Sequence, residues 1–266
     1  MASKIAFANL KGGTGKTTLC INVAAQLALH NSKKVLVVDF DPQANATSGL
    51  GIDSQSLTHS IYDAVLTQCE GYDGVPITQI ILETEIENLH LAPSELDFSA
   101  AALVMQGAKD RAGILARILE PVQQFYDYIL IDLPSDIGLF TLNGLYAADR
   151  IVVPIDLSIF ALEGFENLKI YCSDLEKKLG KAGAQFTIVL NRSVKPRVSA
   201  KKAKTPSPSQ EIETAIKAMS YPLFTVPDSV IVYRAQQAGV PVAKFSPKSG
   251  LDNAFGAIAN YLALSH

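Results

Sequence analysis

The 266-residue chain has no paired cysteines, no long apolar run and no excess of basic charge. Cys20, Cys69 and Cys172 are widely spaced, with no Cys-x-x-Cys pair. That excludes a disulfide framework or structural zinc and suits a reducing cytoplasm. No apolar run approaches the ~20 residues needed to cross a bilayer. No basic-then-apolar leader is expected, because strand-like sequence begins within the first five residues. A net charge of −3 gives no global attraction to nucleic acid or anionic lipid, so any such binding must come from a local patch. There is neither an internal repeat nor a linker-like break, and residues 1–266 read as one domain.

Hydrophobic residues make up 48% and charged residues 18% of the chain, which suits a compact fold around a buried parallel sheet. Strand-like segments at 34–39, 128–132, 150–155 and 185–190 are continuously apolar, with shorter candidates at 89–92 and 222–225. Helical spacing is expected at 19–29, 100–106, 112–124, 140–148, 164–179, 210–219, 230–238 and 251–264. Such alternation predicts right-handed crossovers and an α/β fold, a mostly parallel twisted sheet with helices on both faces.

The most informative stretch follows the apolar run Ile5 to Leu10: Lys11, Gly12, Gly13, Thr14, Gly15, Lys16, Thr17 and Thr18. The standard phosphate-loop spacing would need a glycine where Leu10 stands, so the match is to a variant form, K-G-G-x-G-K-T-T. The physics is unchanged. Small residues let successive backbone N–H groups point inward, and a helix N-terminus adds partial positive charge. Lys16 is placed to neutralise the β- and γ-phosphates of a nucleotide, and the Thr17 hydroxyl to reach Mg²⁺.

Two carboxylate motifs end later strands. Asp39 and Asp41, in Asp39-Phe40-Asp41-Pro42, are two residues apart and point into the crevice beyond the strand ends, around one Mg²⁺ and one water. Asp132 closes Ile129-Leu130-Ile131-Asp132 in a Walker B arrangement, holding Mg²⁺ through water.

Together these motifs resemble the deviant Walker A ATPases typified by ParA and MinD, P-loop NTPases of a single domain. The resemblance runs from about Lys4 to the final helix, with the specific motifs in the N-terminal half. It implies ATP and Mg²⁺ as cofactors and a homodimer closed around two nucleotides. In that dimer Lys11 would contact the partner's phosphates, Asp41 would orient the attacking water, and Asp39 would lie near the metal shell. It also implies that Asn191, whose amide both donates and accepts, reads the adenine, and that Pro227 and Asp228 pack on the base. Ser135 departs from the family, which more often has a second proline after this aspartate.

Between Arg192 and Glu211 there is no acidic residue, while Arg192, Lys195, Arg197, Lys201, Lys202 and Lys204 carry six positive charges on an otherwise acidic chain. The resemblance implies non-specific DNA binding through this region, a ParB-like activating partner, and a cytoplasmic protein that is nucleoid-associated when ATP-bound. It further implies the shorter ParA type without a preceding helix-turn-helix, moving a plasmid, a chromosome or a protein organelle. The tail at 250–266 has no basic side chain except His266, unlike the amphipathic membrane helix of MinD-like relatives, so no membrane partner is expected. No cysteine lies between Asp132 and Cys172, which removes an iron–sulfur reductase of the nitrogenase type. A kinase, an amide-forming synthetase, or an ATPase delivering a metal or protein without DNA stays open.

Overall fold

A computed structural model describes residues 1–181, 183–193 and 208–264. One sheet is built from β1 (Ser3–Phe7), β2 (Val35–Asp39), β3 (Leu82–Glu83), β4 (Leu89–Ala92), β5 (Tyr128–Asp132), β6 (Arg150–Ile155), β7 (Gln185–Ser193) and β8 (Leu223–Pro227). Their order is β3-β4-β2-β5-β1-β6-β7-β8. Every neighbouring pair is parallel except β3 with β4. The α/β architecture is therefore the one expected.

Because alternate strand residues face opposite sides, each strand feeds two cores. Ile5, Phe7, Val35, Val37, Tyr128 and Leu130 pack towards helices Lys16–Asn31 and Gly250–Leu264. Ala6, Leu36, Val38, Ile129, Ile131, Ile151 and Val153 pack towards helices Leu139–Ala147 and Ile159–Leu179. Burial on both faces is why these strands read as unbroken apolar runs. The final helix buries Leu251, Phe255, Ile258, Ala259 and Leu262, and its Asp252 accepts a hydrogen bond from Gln26 on the first helix. Among the described residues no helix is long and apolar enough to cross a membrane.

Several boundaries differ from expectation for local reasons. The helix expected over 112–124 spans only Ile114–Leu119. Pro121 has no N–H to offer the Arg117 carbonyl, which accepts from Glu120 N at 3.3 Å instead. The helix expected from Gly164 starts at Ile159 and runs through that glycine. A Cβ at Gly164 would stand 2.6 Å from Asn9 Oδ1 and 3.4 Å from Lys11 N, so the residue lets the phosphate loop approach the helix. The short helix Ile61–Leu66 was not anticipated, although Ser60 and Asp63 form a capping box at its start.

Candidate nucleotide site

The carboxyl ends of β1, β2, β5, β6 and β7 converge on the loop between β1 and helix Lys16–Asn31. Gly13 and Gly15 hold φ of +74° and +95°, which a side chain would resist. A Cβ on Gly15 would in addition overlap Asn191 Nδ2. The loop borders a cleft of about 440 Å³ lined by Gly13, Gly15, Lys16, Thr17, Thr18, Asp41, Ser135, Arg192 and Gln236, among others. Lys16 is buried, and burial lowers its ammonium pKa against the pull of Asp132, Asp41 and Asp136. Its Nζ donates to Ser135 Oγ at 2.5 Å.

Thr17 Oγ1 donates to Asp132 Oδ2 at 2.6 Å. Asp132 is wholly buried, and Oδ1 has no hydrogen-bond partner among the described residues. Burial first, and then the neighbouring Asp39 carboxylate, push the Asp132 carboxyl well above the usual range. A bare, desolvated carboxylate oxygen beside a threonine hydroxyl at the head of a phosphate loop fits a hydrated Mg²⁺, which prefers oxygen donors and keeps its waters.

Asp39 lies opposite Asp132 in the β2–β5 register and is also wholly buried. Its Oδ2 accepts from Thr47 N at 2.8 Å and Thr47 Oγ1 at 2.7 Å, and its Oδ1 from Asp41 N at 3.4 Å. The direct partners of Asp39 are thus the Asp41–Thr47 loop, with Asp132 across the ladder. Ser94 ties the same loop to β4: its N–H donates to Thr47 Oγ1 at 2.9 Å and its hydroxyl to Asp41 O at 2.8 Å. Asp41 is half-buried in the cleft, and burial raises its carboxyl although Gln43 N and Lys16 oppose this. Sequence reasoning missed Thr47 and Ser94, which carry no motif of their own.

Lys11 does not point at its own phosphate cradle. Its Nζ donates to Asp156 Oδ2 at 2.7 Å and Ser158 Oγ at 2.8 Å, just beyond β6. Burial would raise the Asp156 carboxyl. The hydrogen bonds from Lys11 and Ser158 outweigh it and hold the group below the usual range. Asp156 was also missed, yet it has the signal that marked Asp39 and Asp132: an acid directly after an apolar strand.

A second cleft of about 380 Å³ adjoins the first and shares Thr18, Arg192 and Gln236 with it. Asn191, Pro227 and Asp228 line it, together with Ser229 and Tyr233. Asn191 is buried and its Nδ2 donates to Thr14 O at 2.7 Å. Gln236 Nε2 donates to Thr18 Oγ1 at 2.9 Å, joining the wall of the second cleft to the phosphate loop. Of the six basic residues singled out, Lys195, Arg197, Lys201, Lys202 and Lys204 lie outside the described residues. Arg192 is described: it is exposed, holds φ of +53°, and lines both clefts.

The buried acids predict an unusual pH response. Burial pushes the Asp39 carboxyl up to about 7 from its ordinary 3.8. Between those values the folded chain keeps a proton that the unfolded chain has released, so this group costs stability as pH rises through the interval. The melting temperature of the nucleotide-free protein is expected to fall between about pH 4 and pH 7. Asp39→Asn should flatten the slope; a slope unchanged in that variant would contradict the assignment.

A family model described as an AAA domain matches residues 2–183. The sporulation initiation inhibitor protein Soj of Bacillus subtilis is 34% identical over 94% of this chain and 93% of its own length. The chromosome-partitioning ATPase Soj of Treponema pallidum is 34% identical over 92% of this chain and 90% of its own. Among solved structures, an ATP complex of Cyanothece McdA superposes with a TM-score of 0.85 at 22% identity, covering 100% of this chain and 98% of that one. MinD of Pyrococcus horikoshii with Mg-ADP gives 0.75 at 24% identity, covering 99% and 97%.

Proposed function

The chain belongs to the ParA/MinD-type ATPase family, and from that premise we propose that it is a partition or cargo-positioning ATPase. It binds ATP and Mg²⁺, closes as a homodimer around two nucleotides, and holds non-specific DNA while closed. The observation that carries the reading is that Gly13, Gly15, Lys16, Thr17 and Thr18 line one cleft with Asp41. The buried Asp132 is bonded to Thr17 behind it, and a second cleft of about 380 Å³ lies alongside. Thr17 and Asp132 would hold Mg²⁺, whose charge neutralises the β- and γ-phosphate oxygens, with Asp39 behind them. Lys16 binds the same oxygens from the loop side. Asp41 orients the attacking water from the opposite wall, and Asn191, Pro227 and Asp228 hold the base.

Hydrolysis is expected to be slow until a ParB-like activator completes the site. The basic residues from Arg192 to Lys204 supply the DNA contact, and pairing two protomers doubles that patch, coupling affinity to ATP. A mobility-shift assay on non-specific DNA tests this. Binding should require ATP and fall by roughly 10³-fold between about 50 mM and 200 mM salt, as expected for about six phosphate contacts. Binding that is indifferent to ATP would break its link to the closed dimer, and binding absent at low salt would instead favour delivery of a metal or a protein by an ATPase of this fold.

A further inference from the structure

We infer that the Ser135 hydroxyl is a ligand of the terminal phosphate. The inference rests on ATP occupying the cleft. Ser135 lies three residues beyond Asp132, on the turn leaving β5, and Pro134 before it restricts the backbone there. Its Oγ faces the front of the phosphate loop: a Cβ on Gly12 would stand 3.8 Å away. The side chain lines the phosphate cleft with Lys16 and Asp41.

The hydroxyl's current partner shows what it is placed to do. Lys16, a buried residue, donates from Nζ to Ser135 Oγ at 2.5 Å. An ammonium has no lone pair to accept with, so this bond uses a lone pair on Oγ and leaves the serine proton unspent. Among the described residues no acceptor takes that proton. When a triphosphate enters, its oxygens are stronger acceptors for Lys16 than a neutral hydroxyl is. The ammonium then turns from Oγ to the phosphate, and the serine O–H stands beside the same anionic oxygens, free to donate.

Position at the front of the loop, beside Gly12, points the contact to the last phosphate. The loop amides and the start of helix Lys16–Asn31 cradle the inner phosphates from one side. Ser135 lines the same cleft as Asp41, with its Oγ against the front of the loop at Gly12, the end to which the last phosphate is assigned. On that placement the hydroxyl adds a contact that a triphosphate makes and a diphosphate lacks.

Titrations of fluorescent ADP and ATPγS against the full chain with Mg²⁺, with ATP turnover alongside, test the assignment. In Ser135→Ala, ADP affinity is expected to stay within about twofold of the parent, and ATPγS affinity and kcat/KM to fall about tenfold, as for the loss of one charge-assisted bond. Unchanged ADP binding also reports an intact fold. Ser135→Thr, which keeps the hydroxyl, should restore both values. An equal loss for ADP and ATPγS would mean that Ser135 acts only through the position of Lys16, and would overturn the inference. So would ATPγS binding and turnover that match the parent. A parent chain that binds neither nucleotide would sink the ATPase reading itself, an outcome separate from a parent that turns over and a silent Ser135→Ala.

Discussion

Asp41→Ala is expected to leave the ATP-bound dimer intact and to lower turnover by about 10²- to 10⁴-fold, the usual weight of a positioned acid–base group. The carboxylate stands in the phosphate cleft without being part of the phosphate cradle, so its removal spares binding. Its position is set indirectly. Asp39 holds Thr47 and the Asp41 N–H, Ser94 holds the Asp41 carbonyl, and Gln43 N donates to the Asp41 carboxylate at 2.9 Å. Truncating Asp41 removes the last atoms of that chain and leaves its supports. Burial raises the Asp41 carboxyl as it does those of Asp39 and Asp132. The acid limb of the turnover profile should therefore lie above the ordinary carboxylate range and lose only the Asp41 contribution in the variant. Phosphate release and sedimentation with ATP decide the matter. Fast hydrolysis by Asp41→Ala would remove the residue from the mechanism.

The second large effect is expected at the front of the loop. Lys11→Ala should bind ATP much as the parent does, yet fail to dimerise with it. In the protomer the Lys11 ammonium is paired with Asp156 and Ser158, both partly exposed to solvent. An ion pair of that kind contributes about 0–1 kcal/mol. In a closed dimer the same ammonium would meet a phosphate away from water, a contact whose loss costs about 1.5–3 kcal/mol. Two such contacts per dimer correspond to a roughly 10²- to 10⁴-fold weaker association. The weak tether explains how Lys11 is kept from its own cradle and still released when a triphosphate stands opposite. Sedimentation showing an unaltered ATP-dependent dimer in Lys11→Ala would exclude the cross-subunit role.

What was legible in the sequence was what short-range chemistry dictates. β2, β5 and β6 could be read because both faces are buried and their runs are unbroken, and the phosphate loop because its geometry needs glycine at fixed offsets. The partners of these motifs were less visible. Asp156 sits 145 residues from Lys11, and Thr14 lies 177 residues from Asn191. Such pairs are made by the parallel sheet, which brings strand ends together whatever their separation along the chain. Thr47 and Ser94 were silent for another reason. They support a loop through hydroxyl and backbone bonds that many residue patterns allow. Gly164 was read as a helix boundary, and only the approach of Asn9 and Lys11 reveals it as a helix-interior residue kept small.

The Asn191 amide has a consequence for purine choice. One amide hydrogen is spent on the Thr14 carbonyl, and this fixes which end of the group is nitrogen. If Asn191 meets the base as proposed, its carboxamide oxygen and second amide hydrogen remain for the ligand, and the oxygen would accept from an exocyclic amine. Adenine offers the amine at its six position and guanine the keto oxygen. On that proposal the bond that steadies the phosphate loop would also orient an acceptor towards the amine of ATP, and weaker binding of GTP than of ATP is the expected result.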